Sequence, residues 1–242
     1  MVAFMKKAIQ LLQSVGGQSQ DLQNLGISED TIKVLIEKGI IEPLGYRLKK
    51  TSPLTFPYSL ISDPLPLFLH GWFNTACRQR LQTLIEKHNV QTIVELGSWL
   101  GQSTLFMASL LPDSGKLYAV DHWEGPEDLQ IPCVYKQFLS NVIHAQLTHK
   151  IVPLRTTTQE ASKDFESRVD LIYIDACHEE EAVYQDLRNW FPIAKKWGSI
   201  LCGDDFYWKK EKGYPVQKAL KRFCREENLT YVNTDVFWEI IR

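Results

Sequence analysis

Four side chains in the second half of the chain have the types and spacing to do chemistry together. Asp175 ends the apolar run V-D-L-I-Y-I-D, and His178 follows three residues later. Asp204 and Asp205 end a second run, S-I-L-C-G-D-D. If the two runs are neighbouring strands, three carboxylates meet at one edge of a sheet. Two like charges about 4 Å apart repel by about 4 kcal/mol at an effective dielectric near 20. A divalent cation removes that cost, and hard oxygen ligands suit Mg²⁺, with Mn²⁺ or Ca²⁺ as rivals. Asp175, Asp204 and Asp205 are therefore the candidate metal ligands. The plainer reading of Asp204-Asp205 is a turn whose side chains cap backbone N–H groups. His178, with an ordinary imidazole pKa of about 6.5, is of a residue type that can take a proton at neutral pH. Its plainer reading is a solvated or helix-capping histidine.

A second constellation lies at 92–103, T-I-V-E-L-G-S-W-L-G-Q-S. It reads as a buried strand, a glycine turn and the start of a helix over 102–111. Gly97 and Gly101 bracket a turn where backbone can approach a ligand closely. The helix start offers unpaired N–H groups and a positive dipole end. Glu95, before the first glycine, can accept from backbone or from a cationic amine. Trp99 stands where a dinucleotide fingerprint G-x-G-x-x-G has its middle glycine, so NAD and FAD are disfavoured. The next strand, 116–120, ends in Asp121, an acid positioned to hold ribose hydroxyls.

The elements that must position these residues alternate. After Asp121 come a long loop, a helix over 134–147, a strand over 150–154, and Thr158-Gln159 at a helix start. Strand 169–175 leads into an amphipathic helix with Val183, Leu187 and Trp190 on one face. Strand 199–202 is followed by a helix over 216–227 and two strands, 230–232 and 236–241. Five β-then-α alternations predict an α/β, doubly wound sheet, and the last two strands an antiparallel hairpin at its edge. A helix or two over 68–88 delivers the chain to the first strand. Residues 51–69 carry Pro53, Pro57, Pro64 and Pro66 and read as an extended linker. Residues 1–50 read as three short helices and a hairpin, a small extension resembling a winged helix. Its third helix carries Glu29, Asp30 and Glu37 against Lys33 and Lys38, which disfavours a nucleic-acid partner. Dimerisation, a lid or a plain cap are the remaining roles.

Composition bounds the rest. With 242 residues, a formal net charge of −2, 44% hydrophobic and 23% charged residues, the chain reads as a soluble domain with an extension. No run approaches the roughly 20 apolar residues of a membrane span. Five cysteines without a C-x-x-C pair predict reduced thiols in a cytoplasmic setting, and the start of the chain lacks a signal-peptide pattern.

The segment V-E-L-G-S-W-L-G-Q-S-T followed by L-Y-A-V-D resembles the class I S-adenosylmethionine (SAM)-dependent methyltransferases. It is most similar to the catechol O-methyltransferase-like, metal-dependent branch, where E-L-G-x-x-x-G-x-S is typical. The V-D-x-W-x-G run at 120–125 recurs there too. The resemblance covers about 91–242 and implies a Rossmann-like seven-stranded sheet as the domain at 70–242. It implies SAM held by Glu95, Gly97, Ser98, Trp99, Gly101, Ser103, Asp121, His122, Trp123, Thr158, Gln159 and Asp175. Trp123 would cover the adenine, with Thr158 and Gln159 beside the ring; the alternatives are a packing role for Trp123 and an N-cap for Thr158. It implies a cation, most simply Mg²⁺, on Asp175, Asp204 and Asp205, with catalysis by His178 and Asp175. His178 stands where that branch has a lysine, which leaves open whether the hydroxylated small-molecule acceptor is phenolic or sugar-like. A metal-independent methyltransferase and a non-catalytic SAM-binding module are the rivals. A homodimer through the N-terminal extension is one assembly this reading allows, beside a lid or a plain cap.

Overall fold

Strand β1 (Thr92–Leu96) opens with three β-branched residues, and every residue after Thr92 is buried. A short strand of this kind belongs in the middle of a sheet covered on both faces. In the computed structural model, which describes residues 54–125 and 133–241, it has parallel neighbours on both sides: β2 (Lys116–Asp121) and β4 (Leu171–Ile174). Strand β3 (Ile151–Arg155) extends the sheet beyond β2, and β5 (Ile200–Gly203) beyond β4, both parallel. The hairpin β6 (Thr230–Thr234) and β7 (Phe237–Ile241) closes the other edge antiparallel, with β7 against β5. The order β3-β2-β1-β4-β5-β7-β6 is the expected doubly wound, seven-stranded sheet.

Among the described residues, six α-helices cover it. α1 (Thr75–Lys87), α2 (Gln102–Leu110) and α3 (Val134–His144) lie on one face. α4 (Thr158–Lys163), α5 (Glu180–Trp197) and α6 (Pro215–Glu226) lie on the other. Side chains alternate across a strand, so Ile93 joins Leu81, Met107 and Phe138 in one core, while Val94 joins Leu187, Trp190 and Phe223 in the second. α5 has Glu180 and Glu181 in its first turn and Lys195 and Lys196 in its last, each favoured by the helix dipole, and stops at Gly198 in the left-handed region. α6 starts on Pro215, and its stripe of Val216, Ala219, Leu220 and Phe223 faces the sheet and α5.

The sequence suggests helix from 68 onward, but α1 begins only at Thr75. Asn74 caps it, its side chain accepting from Cys77 N. The residues before it are committed elsewhere. Leu65 N donates to Ser140 Oγ, and Phe73 N to Gln102 Oε1. Asn141 on α3, fully buried, donates to Phe68 O and Leu100 O and accepts from Phe68 N and Gln137 Nε2. Residues 62–74 thus cross α3 as an extended strap. The helices and hairpin anticipated within 1–50 lie outside the described residues, as does the loop at 126–132.

Candidate active site at the carboxyl edge of the sheet

The strand order reverses between β1 and β4. β1 leads outward to β2, and β4 leads the other way to β5, and the carboxyl edge at such a reversal is where folds of this kind bind ligands. Both constellations read from the sequence lie along this edge, because β1, β2, β4 and β5 run parallel.

The turn after β1 is held from beneath. Glu95 is fully buried, and its carboxylate accepts from the hydroxyls of Ser98 (2.7 Å), Ser103 (2.5 Å) and Thr104. Burial pushes its carboxyl up to about 7, with the three hydroxyls pulling the other way. With no exposed surface, Glu95 fastens the turn to α2 rather than meeting a ligand's amine. Asp121 holds the turn from the side: Oδ2 accepts from Ser98 N (3.0 Å) and Trp99 N (2.8 Å), and Oδ1 from Trp123 N (2.7 Å). Asp121 keeps 13% side-chain exposure, so its oxygens remain reachable at the tip of β2. Within α2 the first paired N–H is that of Leu105, to Gly101 O, which leaves Gln102, Ser103 and Thr104 outside the helical ladder.

Gly97 (φ +87°) and Gly101 (φ +90°) are both required, for a reason the sequence could not reveal. A Cβ on Gly97 would lie 2.1 Å from Asp175 O, and one on Gly101 3.3 Å from the Phe138 ring. The close approach is made by the chain's own backbone at Gly97 and by the Phe138 ring at Gly101. Trp123 is a second correction. Its indole is 3% exposed, packs with Tyr135 and Phe138 at 4.7 Å between centroids, and donates to Trp99 O. It is a core residue, not a cover over adenine. Trp99, half-buried at φ +45°, points its Nε1 toward His70 Nδ1, 3.4 Å away, and His122 is exposed at the tip of β2.

The acids after β4 and β5 converge, but not as a trio. Among the described residues, the group of ligand-type side chains drawn together is Asp175, His178 and Asp205, with all ligand atoms within 4.8 Å of one another. His178 Nε2 lies 3.2 Å from Asp175 Oδ1 and 3.0 Å from Asp205 Oδ2. Asp204 turns into the protein instead. It is 5% exposed, with Oδ1 accepting from Asp205 N (2.6 Å) and Oδ2 lying 3.4 Å from the Tyr173 hydroxyl. Burial and the neighbouring Asp175 raise its carboxyl to about 6. Asp204 is thus not one of the converging ligands. His178, anticipated as a base, is paired with both carboxylates. Burial alone would lower its pKa, but bonds to Asp175 and Asp205 and their charges lift it to about 10. Burial also raises Asp175, against the pull of His178.

Neighbouring loops fix this cluster. Trp208 N donates to Asp205 O, and the Trp208 ring sits 5.4 Å from the imidazole. Glu179, next to His178, is clasped by Lys212 at 2.7 Å and Lys209 at 3.6 Å. Two carboxylate oxygens and an imidazole nitrogen, converging and partly exposed, are a donor set that fits a divalent cation.

Thr157, not Thr158, caps α4, its side chain accepting from Glu160 N. Thr158 donates its hydroxyl to Asp186 Oδ1 at 2.5 Å, and its carbonyl accepts from Trp190 Nε1. Gln159 is exposed beside it. Asp186 was missed in the sequence. It lies three residues after Val183 and four before Trp190, on the buried face of α5, where an acid is out of place. That mismatch is the signal that marks it.

Residues 94–206 match the family described as a methyltransferase domain. This match and the sheet order make the chain similar to the class I SAM-dependent methyltransferases. Its similar curated relatives are narrower. Caffeoyl-CoA O-methyltransferase 2 of Petunia hybrida and caffeoyl-CoA O-methyltransferase 1 of Nicotiana tabacum are each 26% identical over 154 residues, 61% of this chain. The chain spans 59% of the length of these relatives. The fold is shared with the O-methyltransferase from Bacillus cereus in complex with SAH (TM-score 0.52, 18% identity, 73% of this chain and 84% of that one). It is also shared with the O-methyltransferase TomG from Streptomyces achromogenes in complex with SAM (TM-score 0.54, 15% identity, 70% and 79%).

Proposed function

We propose that this protein transfers a methyl group from SAM to a hydroxyl of a small molecule, with a divalent cation beside the acceptor. One observation carries the reading: the Gly97–Gly101 turn and the Asp175–His178–Asp205 cluster share one sheet edge at the reversal of strand order and touch through Gly97 and Asp175 O. The turn, Asp121 and the start of α2 would take the cofactor, with Thr158 and Gln159 on the adenine side. Asp175 and Asp205 would hold the cation, whose contribution when bound is to lower the pKa of the acceptor hydroxyl.

The chain's own residues do the rest. Transfer needs the acceptor oxygen in line with the departing sulfur, and holding it there removes a large entropic part of the barrier. The Trp208 ring, 5.4 Å from the imidazole, would give a flat wall next to the cluster, suited to a phenolic or sugar-like acceptor. Asp175, its carboxyl raised by burial, is a stronger proton acceptor than an exposed aspartate. A small acceptor fits the formal charge of −2 better than a nucleic acid does. Association through residues 1–50 and a cytoplasmic setting belong to the same reading.

A metal-independent route has one observation in its favour: His178 Nε2 already bridges the two carboxylates and neutralises part of their repulsion. Calorimetry with S-adenosylhomocysteine, together with methyl transfer to a panel of catechols and sugars with and without EDTA, separates these readings. Binding at micromolar Kd and turnover lost in EDTA support the first. Turnover indifferent to EDTA supports the second. No binding of S-adenosylhomocysteine sinks both.

A further inference from the structure

The pattern D-x-x-H followed by D-D gives the ligand role to three aspartates, yet the fold delivers a different trio. Asp204 and Asp205 follow the end of β5, and the left-handed backbone at Asp205 sends their side chains in different directions. Asp204 faces inward and has protein partners on both oxygens. Asp205, in the left-handed region at φ +59°, faces the cluster. The third ligand atom near it is His178 Nε2.

The spacing of these atoms is informative. Ligands bound at right angles about 2.1 Å from one ion lie about 3.0 Å apart. His178 Nε2 stands 3.0 Å from Asp205 Oδ2 and 3.2 Å from Asp175 Oδ1, two edges of such a polyhedron. The imidazole is held in that pose by Trp208 at 5.4 Å and by the Glu179 clasp to Lys212 and Lys209. The same distances suit an imidazolium proton shared between the two carboxylates, and a cation would take that proton's place.

Resting on the methyltransferase reading above, we propose that His178 is the third protein ligand of the cation, in the place the sequence pattern gives to Asp204. One nitrogen and two carboxylate oxygens form a borderline donor set. Imidazole favours later first-row ions, whereas Mg²⁺ selects oxygen. The site therefore takes a transition-metal dication of the Co²⁺, Fe²⁺ or Ni²⁺ class in preference to Mg²⁺.

The test reads the metal directly, on the full chain in a Cys177→Ser background so that the neighbouring exposed thiol cannot ligate. Titration with Co²⁺, followed by its visible absorption, gives an affinity at least tenfold tighter than that for Mg²⁺ measured by competition. Pulsed EPR of the Mn²⁺-loaded protein detects coupling to one imidazole ¹⁴N. His178→Ala weakens Co²⁺ binding at least tenfold, shifts Mg²⁺ less than about threefold, and abolishes the ¹⁴N coupling. His178→Gln, which keeps a polar side chain, does the same, and the thermal melts of both variants report that they are folded. Metal bound without ¹⁴N coupling, or Co²⁺ affinity unchanged in a folded His178→Ala protein, overturns the ligand role and leaves the methyltransferase reading intact. Absence of any metal binding overturns the ligand role and the cation together. Loss of S-adenosylhomocysteine binding in the unmodified chain would strike at the methyltransferase reading alone.

Discussion

Replacing Gly97 with alanine tests the contact on which the site is assembled, and Gly198 supplies the control. Both glycines sit in the left-handed region, at φ +87° and +71°. The backbone cost of a side chain there is shared, about 1 kcal/mol. Their surroundings differ completely. A Cβ on Gly198 meets nothing within 4 Å. A Cβ on Gly97 lies 2.1 Å from Asp175 O, 2.6 Å from its carbonyl carbon and 2.7 Å from Ala176 Cα. Ordinary contact begins at 3.4 Å, so the oxygen must retreat by 3.4 − 2.1 = 1.3 Å. The atoms in the way are main chain at the end of β4, tied by Asp175 N to Leu96 O at 2.8 Å. Overpacking of this kind costs about 1–3 kcal/mol beyond the conformational term. Gly198→Ala should lose about 1 kcal/mol and Gly97→Ala about 2–4 kcal/mol. Urea unfolding at constant m measures both. Because the displaced atom is the main-chain oxygen of Asp175, whose side chain would hold the cation, Gly97→Ala should also weaken divalent-cation binding, whereas Gly198→Ala should not. Equal destabilisation by the two substitutions, or a folded Gly97→Ala with normal metal affinity, would refute the argument that the two loops are locked backbone to backbone.

Other expectations follow from buried charge. Burial raises Asp186 from 3.8 to about 6. A carboxyl raised on folding binds more protons folded than unfolded, so its penalty is absent below pH 3.8 and complete above about 6. Two pKa units correspond to about 3 kcal/mol as an upper bound. Asp186→Asn should therefore gain stability over the parent as pH rises from 4 to 7, and a gap in unfolding free energy that does not change with pH would contradict this. Arg80 Nη2 bonds Glu239 Oε1 at 2.6 Å, while Glu239 Oε2 is buried without a partner. Arg80 is 34% exposed, so Arg80→Ala should cost about 1–3 kcal/mol rather than the full loss of a buried pair. The double variant with Glu239→Gln should recover part of that in urea unfolding.

The sheet was legible because its strands carry their own punctuation. Runs such as V-D-L-I-Y-I-D are short, apolar and closed by an acid, and their alternation with amphipathic helices implies parallel pairing and the final hairpin. The residues along the carboxyl edge were legible for the same reason. Direction was not. Whether Asp204 or Asp205 faces the cluster depends on the φ of a single residue. Trp123 follows a strand and precedes a glycine, with no periodic partner to reveal that its indole packs on Phe138. The glycines of the turn read as room for a ligand because sequence does not show which chain segment will press against them. The stretch at 68–74 looked helical by composition, but its backbone groups are claimed by Asn141 and Gln102, residues distant in sequence.

Asn141 joins three parts of the molecule with one amide: the strap at Phe68, the end of the glycine turn at Leu100, and its own helix at Gln137. The side chain spends every donor and acceptor it has there, two given and two received. A crossing segment anchored so cannot creep by fractions of a residue. It is either seated in register or released outright, and a pull on the chain ahead of it would reach the glycine turn as a step, not a gradient.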